Sequence, residues 1–218
     1  GKWVQSKRFR EDIADPLNGG IFLKIPDTVD YSEFMENLDI CSKSGLHNPL
    51  KNIERYLMLG DVCAKAAELL REEEVSEYFT KLIQRVMPKS TSQCHGEVTV
   101  TRVFLENFSG DNVRFLARSF SNPGDHLGQE SSGYRWPFGP VCIIAPFNFP
   151  LEIPALQAMG ALFMGNRPLV KVDSRVSVVF EQFLRLLIHC GLPPEDLDFI
   201  NCKGEVMEEL IKQSNNKI

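Results

Sequence analysis

The last third of this chain alternates short apolar runs with helical patterns, and this alternation is what most constrains its fold. Three apolar runs have the length and continuous hydrophobicity of buried strands, and each precedes a segment with helical spacing: 140–145 before 150–164, 168–172 before 176–189, and 197–201 before 205–212. Such an order is typical of a parallel sheet with crossover helices. The sequence therefore predicts the α/β class, with three parallel strands formed by residue 201.

The helix predicted at 176–189 has the clearest periodicity. Its apolar residues recur at spacings of three and one: Val176, Val179, Phe180, Phe183, Leu184 and Leu187. These residues form one face, which we expect to pack on the sheet. Gly191 can adopt the left-handed conformation that ends a helix, and two prolines at 193 and 194 prevent its continuation.

The first 136 residues carry other patterns. Short alternations broken by turn residues at 1–30 predict hairpins or edge strands. From 31 to 85 the spacing is helical, and Pro49 and the acidic run 72–74 divide it into three helices, the acidic run being an exposed helix start. We therefore divide the chain into hairpins and helices at 1–136 and the first part of a sheet domain at 137–218.

A long helix is predicted from Glu97 to Phe120. Its apolar stripe, which we expect to be buried, consists of Val100, Phe104, Phe108 and Phe115. Cys94 precedes this helix and is interpreted as a surface thiol, since nothing near it indicates the electropositive pocket of a reactive one. Cys142 and Cys202 lie in or just after predicted strands and are interpreted as inert core residues.

Composition excludes several classes of function. The 24 basic residues are outnumbered by 29 acidic ones, for a net charge of −5, so there is no cationic surplus for binding nucleic acid or an anionic membrane. The longest apolar stretch, 141–164, contains three prolines, which favour a strand, a turn and a helix over a membrane span. The four histidines show no metal-ligand spacing and the six cysteines no CxxC pair, so we predict no metal site and a reducing compartment.

Ligands of open parallel sheets bind beyond the carboxyl ends of the strands, which directs attention to the loops after Ala145 and Val172. The first loop reads Ala-Pro-Phe-Asn-Phe-Pro at 145–150 and places Asn148 between two aromatics and two prolines. The prolines stiffen the loop, as a preorganised donor requires if it is to stabilise negative charge on a substrate oxygen. The alternative is that Asn148 caps the following helix.

The second loop follows Lys171, which emerges from an apolar strand end. Lys171 can bind a ribose hydroxyl or a phosphate, or its side chain can simply extend to the solvated rim of the sheet. Asp173 or Ser174 can cap the next helix. Neither GxGxxG nor GxxxxGK[ST] occurs, so a nucleotide must bind by another arrangement.

A longer motif includes both loops. Residues 137–177 read PFGPVCIIAPFNFPLEIPALQAMGALFMGNRPLVKVDSRVS. The order of a Pro- and Gly-containing turn, a strand, a Phe-Asn-Phe-Pro loop, a helix ending at Gly-Asn and a strand ending at Lys resembles the cofactor-binding region of the aldehyde dehydrogenase superfamily. Further segments are similar to plant-type members that oxidise glutamate γ-semialdehyde: GLHNP at 45–49, LIQRVMPKS at 82–90, FLENFSGDNVRFLARSF at 104–120, GYRWPFGPV at 133–141 and GLPPEDLDFIN at 191–201.

The resemblance implies a Rossmann-type parallel sheet that is incomplete at its C-terminus. It further implies an enzyme that oxidises the semialdehyde to glutamate in proline catabolism, with NAD as cofactor and NADP not excluded. A homo-oligomer in the mitochondrial matrix is expected, with a small aldehyde as substrate and neither nucleic acid nor membrane as partner. The chain opens on Gly-Lys-Trp-Val, where we recognise no targeting segment.

The resemblance also implies roles for individual residues. Asn148 matches the family's oxyanion donor. The backbone of Ile144, Ala145, Pro146 and Phe147 matches the stretch along the nicotinamide and ribose side of NAD, and Lys171 matches the lysine on the adenosine ribose. Ser174 occupies the position of the family's usual glutamate, which reads the ribose hydroxyls; Asp173 can supply a carboxylate there and disfavour a 2′-phosphate.

Other family residues are missing from these 218. They are a Gly-Ser helix start, a general-base glutamate and a nucleophilic cysteine. The leading hypothesis is the N-terminal part of the enzyme, inactive by itself. The alternatives are a truncated, non-catalytic form that binds nucleotide or assembles with a full-length partner, and a sequence that ends early for technical reasons.

Overall fold

Two antiparallel hairpins, seven α-helices and one three-stranded parallel sheet make up the part of the chain that the computed structural model describes, residues 3–4, 9–40 and 52–214. In chain order the elements are β1 (Phe9–Ala14), β2 (Ile21–Pro26), α1 (Ser32–Ile40), α2 (Ile53–Leu69), α3 (Glu73–Val86), α4 (Thr91–Asn107), a 3-10 segment (Gly110–Ala117), β3 (Phe120–Pro123), β4 (Glu130–Gly133), β5 (Pro140–Ala145), α5 (Glu152–Phe163), β6 (Arg167–Val172), α6 (Ser177–His189), a 3-10 turn (Pro194–Asp196), β7 (Asp198–Phe199) and α7 (Gly204–Gln213).

The predicted N-terminal hairpin and helices are confirmed. β1 pairs with β2 in antiparallel fashion, and α1, α2 and α3 follow among the described residues up to Val86. The acidic run does start a helix, because Glu72 is the N-cap residue of α3. The predicted separator Pro49 and the GLHNP segment at 45–49 lie outside the described residues.

The single helix predicted from Glu97 to Phe120 is wrong at both ends. Ser90 and Gln93 form a capping box, so α4 begins at Thr91. Gly110 has a positive φ of 56°, and beyond Asn107 the chain continues as the 3-10 segment. This segment lies so close to α2 that a Cβ on Gly60 would stand 1.9 Å from the Gly110 carbonyl oxygen.

The predicted apolar stripe is confirmed for two of its four residues and wrong for the other two. Val100 and Phe115 are 46% and 56% exposed. The buried side chains of the helix instead follow a register that places Cys94 in the core: Cys94, Glu97, Val98, Thr101 and Leu105. Phe104 and Phe108 do pack inward, with ring centroids 6.3 and 4.7 Å from that of Phe163 in α5.

The parallel sheet has the order β5-β6-β7, as the alternation of patterns predicts. β5 and the helices α5 and α6 match their predicted ranges to within two residues at each end. β7 is shorter than predicted, although the Ile200 N–H still donates to the Val170 carbonyl of β6 at 3.0 Å. The next carbonyl, that of Asn201, accepts from the Thr28 N–H (2.9 Å) and joins the chain there to the segment after β2.

Helices cover both faces of the sheet. One face, with Val170 and Val172, packs on α5, α6 and the N-terminal helices in a single hydrophobic cluster that includes all six predicted apolar residues of α6. The other face packs on α1 and α7 in a second cluster with Leu169 and Ile200. Among the described residues, no helix has the length and hydrophobicity that crossing a membrane requires.

Candidate functional site

The two candidate loops lie side by side at the carboxyl edge of the sheet. Ala145 at the end of β5 is the register partner of Val172 at the end of β6. The pairing continues into the second loop, since the Asp173 N–H donates to the Ala145 carbonyl oxygen at 3.2 Å. A ligand at this edge therefore meets both loops.

Asn148 is exposed at the centre of the first loop and does not cap α5. The backbone N–H groups of Leu151 and Glu152 donate instead to Oε1 of Glu97, at 2.8 and 3.2 Å. The interpretation of Asn148 as a helix cap is therefore wrong, because a carboxylate from α4 takes that role. The Asn148 amide remains accessible to a ligand.

Glu97 is a buried charge with three polar contacts. Only 2% of the residue is exposed, and its second oxygen, Oε2, accepts from Lys89 Nζ at 3.0 Å. The same ammonium lies 3.9 Å from the centre of the Phe149 ring and so forms a cation–π contact with the first loop. Nearby Glu152 has a raised pKa, chiefly through partial burial and then through the negative charge of Glu97.

Sequence reasoning missed the role of Glu97, although a signal was present. Cys94, Val98, Thr101 and Leu105 follow the three-and-four spacing of a buried helix face, and residue 97 lies beside it. A glutamate at such a position requires a partner for its charge, which here is Lys89.

Arg175 supports the part of the first loop that precedes Asn148. Its guanidinium carbon lies 4.7 Å from the centre of the Phe147 ring. Its Nε and Nη2 donate to the two oxygens of Asp173, both at 2.9 Å. The side-chain hydrogen bond from Arg175 lowers the pKa of Asp173, and partial burial opposes this effect.

Neither Asp173 nor Ser174 is the N-cap residue of α6, so the predicted position of the cap is wrong. The N-cap residue of α6 is Val176, which forms no side-chain cap. The Asp173 carboxylate is occupied by Arg175, and the Ser174 carbonyl accepts from Ser177 Oγ at 3.4 Å. Asp173 therefore presents a paired carboxylate at the rim of the site.

Lys171 and Ile144 are register partners on adjacent strands. Ile144 is 59% exposed and Lys171 is half-buried, and the ammonium forms no ion pair with any described residue. An apolar surface beside an ammonium donor fits a dinucleotide. Such a ligand can cover the apolar surface, while its ribose hydroxyls accept hydrogen bonds from the ammonium. Pro146 and Phe147 extend the exposed surface, whereas the Ala145 side chain is buried and leaves only its backbone to a ligand.

Four cysteines of the described region are unsuited to nucleophilic catalysis. Burial raises the pKa of Cys63 to about 12 and those of Cys142 and Cys190 to about 11. Cys94 is completely buried, so its interpretation as a surface thiol is wrong, and burial raises its pKa as well. Thiols with raised pKa values are poor nucleophiles near neutral pH.

The fold and the carboxyl-edge loops define a Rossmann-type α/β domain of the kind that binds dinucleotides. The sequence model of the aldehyde dehydrogenase family matches residues 54–217, and the chain belongs to that family.

Two curated relatives match the entire chain. It is 58% identical over 221 residues to delta-1-pyrroline-5-carboxylate dehydrogenase 12A1, mitochondrial, of Arabidopsis thaliana, and covers 39% of that protein. It is 56% identical over 220 residues to a probable aldehyde dehydrogenase of Linum usitatissimum and covers 40% of it. The chain thus spans about two-fifths of the length of these relatives.

A solved structure shares the fold. The structure of 3,6-anhydro-L-galactose dehydrogenase in complex with NAP matches 96% of this chain and 43% of its own, with a TM-score of 0.79 and 22% sequence identity. At this identity the match shows that the two chains share a fold.

Proposed function

We propose that this chain is part of an NAD-dependent aldehyde dehydrogenase that oxidises glutamate γ-semialdehyde to glutamate in proline catabolism. The 58% identity to a delta-1-pyrroline-5-carboxylate dehydrogenase supports the substrate, and the word mitochondrial in that relative's name supports a location in the mitochondrial matrix. A homo-oligomeric assembly belongs to the same proposal. So does the division at residue 136 into N-terminal helices and a cofactor domain.

The observation that carries the proposal is the exposed Asn148 on a loop supported from both sides. Lys89 contacts Phe149 and Arg175 contacts Phe147, while Asn148 between these rings forms no helix cap. Its amide N–H can donate to the aldehyde oxygen as that oxygen gains negative charge. A donor that is already in place stabilises such a charge without reorganisation during the reaction.

The cofactor lies, in this proposal, along the exposed ends of β5 and β6. Lys171 donates to the adenosine ribose, while Ile144, Pro146 and Phe147 contact the nicotinamide and its ribose. When bound, the nicotinamide supplies the hydride acceptor that aldehyde oxidation requires. Asp173 and Ser174 lie at the rim, where the Asp173 carboxylate favours NAD over a cofactor with a 2′-phosphate.

The nucleophilic cysteine and the general base lie, in this proposal, outside these 218 residues. Burial raises the pKa values of four described cysteines, which supports this assignment: Cys63, Cys94, Cys142 and Cys190. We therefore expect residues 1–218 to bind cofactor without turning over the aldehyde.

Steady-state kinetics of the whole protein test the proposal. With glutamate γ-semialdehyde and NAD we expect NADH and glutamate in equal amounts, and a lower kcat/KM with NADP or with shorter semialdehydes. Absence of turnover by the whole protein would contradict the proposed reaction. Turnover by residues 1–218 alone would contradict the assignment of the nucleophile.

A further inference from the structure

Glu97 joins helix α4 to the loop that carries Asn148. Its Oε1 accepts from the N–H groups of Leu151 and Glu152, three and four residues after Asn148. Its Oε2 accepts from Lys89, whose ammonium lies against the ring of Phe149, the residue next to Asn148. One buried carboxylate thus restrains the C-terminal half of the loop through the backbone and, by way of Lys89, through an aromatic side chain.

We propose that Glu97, with Lys89 as its counter-ion, is a positioning residue that sets the place of the Asn148 amide. This inference rests on the oxyanion role proposed above for Asn148. Glu97 touches neither substrate nor cofactor in this assignment and acts only through the loop. Its effect is therefore expected on kcat, where the position of an oxyanion donor matters, and much less on the KM for the aldehyde.

The arrangement does more than helix capping requires. A Ser, Thr, Asp or Asn at the N-cap position would accept from N–H groups two or three residues further along the helix. That position is Leu151, and Glu97 accepts instead from the N–H groups of Leu151 itself and of Glu152. The acceptor comes from a residue 54 positions earlier, and it is a carboxylate, which is costly to bury without a partner. The long-range contact ties the loop to α4, whose buried residues share one hydrophobic cluster with those of α5 and β6.

A double-mutant cycle in the whole protein tests this role. We expect Glu97→Ala to lower kcat by about tenfold to a hundredfold, as small misplacements of catalytic groups do. In the Asn148→Ala background the same substitution should lower kcat no further, because the group that Glu97 positions is already absent. If Glu97 had a merely structural role, the kcat losses of the two single variants would multiply in the double variant, since independent effects add in free energy.

Two variants on α4 complete the design. Glu97→Gln keeps a carbonyl oxygen for the N–H groups of Leu151 and Glu152 and is expected to recover most of the kcat lost in Glu97→Ala. Glu106→Gln is the matched control, because Glu106 pairs with Arg71 and Arg102, not with the loop. We expect it to leave kcat at the wild-type value.

Each outcome supports or overturns a defined statement. Wild-type kcat in Glu97→Ala, or multiplicative losses in the double variant, overturns the positioning role. Wild-type kcat in Asn148→Ala overturns the proposed function of Asn148 itself. If Glu97→Ala does not fold, the cycle is run with Lys89→Met, which removes the ammonium from Phe149. The proposal is supported if Lys89→Met lowers kcat in the otherwise unchanged protein but not in the Asn148→Ala background. It is overturned if Lys89→Met leaves kcat unchanged in the otherwise unchanged protein, or lowers it by the same factor in both backgrounds.

Discussion

The guanidinium of Arg175 lies 4.7 Å from the centre of the Phe147 ring, so the two loops at the carboxyl edge of the sheet touch through their side chains. Arg175 is itself held by two hydrogen bonds of 2.9 Å to Asp173. Backbone pairing ends where the Asp173 N–H meets the Ala145 carbonyl. The side-chain contact extends the connection beyond that point and supports the part of the loop that precedes Asn148.

Loss of the Arg175 contact should slow the whole enzyme modestly. A cation–π contact at an exposed site contributes about 0.5–1 kcal/mol, so Arg175→Gln is expected to lower kcat by about two- to fivefold. Arg185→Gln on helix α6 is the matched control. Arg185 also pairs with a carboxylate, that of Glu181, and its guanidinium lies 4.0 Å from the centre of an aromatic ring, that of Trp3. Equal kcat losses in the two variants would show that the Phe147 contact has no special role.

Asn148→Ala in the whole protein should lower kcat by about tenfold to a thousandfold, as loss of an oxyanion donor does. Its melting temperature should stay unchanged, because Asn148 is exposed and caps no helix. Asn122→Ala, in exposed strand β3, serves as the control for both measurements. Near-normal turnover of the Asn148 variant would contradict its proposed role.

Lys171→Ala should weaken NAD binding by about tenfold to a hundredfold, the range expected for one hydrogen bond from a charged donor. Titration calorimetry of the protein with NAD gives the dissociation constants. Lys81→Ala is a suitable control, since Lys81 pairs with Glu77 on α3. An unchanged dissociation constant would mean that Lys171 only extends to the solvated rim of the sheet.

Replacing two helical glycines by alanine should change the free energy of unfolding in opposite directions, because only one of them lies at the contact between α2 and the 3-10 segment. Gly60→Ala would place a Cβ 1.9 Å from the Gly110 carbonyl oxygen and should lower the free energy of unfolding by about 1–3 kcal/mol. Gly96→Ala in α4 meets nothing within 4 Å and should raise it by up to about 1 kcal/mol. Urea denaturation measures both. If Gly60→Ala is as stable as the unchanged protein, the close approach of the two segments is contradicted.

Patterns between neighbours in the chain predicted much of the fold. The apolar spacing in α6 and the continuous apolar runs of β5 and β6 gave correct elements, because each reflects a face buried by a sheet or a helix. The helix predicted from Glu97 to Phe120 failed at both ends, which the capping box at Ser90 and the positive φ of Gly110 determine. Its predicted stripe also included Val100 and Phe115, which are exposed. The buried face runs instead through Cys94 and Leu105.

The candidate site was likewise predicted in part from the sequence. Proline and aromatic residues around Asn148, and Lys171 at a strand end, were sufficient to predict the two loops and their common edge. The cap positions suggested for Asn148 and for Asp173 or Ser174 were wrong, since local spacing suggests caps but does not reveal which other groups compete for them. Glu97 takes the N–H groups of α5, and Arg175 takes the Asp173 carboxylate.

The sequence by itself determined the alternation of strands and helices from β5 to α7 and the edge of the sheet at which the two candidate loops meet. These features depend on periodicity and on residues close together in the chain. Only the tertiary structure decided what supports the Asn148 loop, because Glu97 lies 54 positions before Leu151 and Arg175 lies in the loop of the next strand. Packing brings these groups together, and a buried carboxylate then binds the nearest available donors.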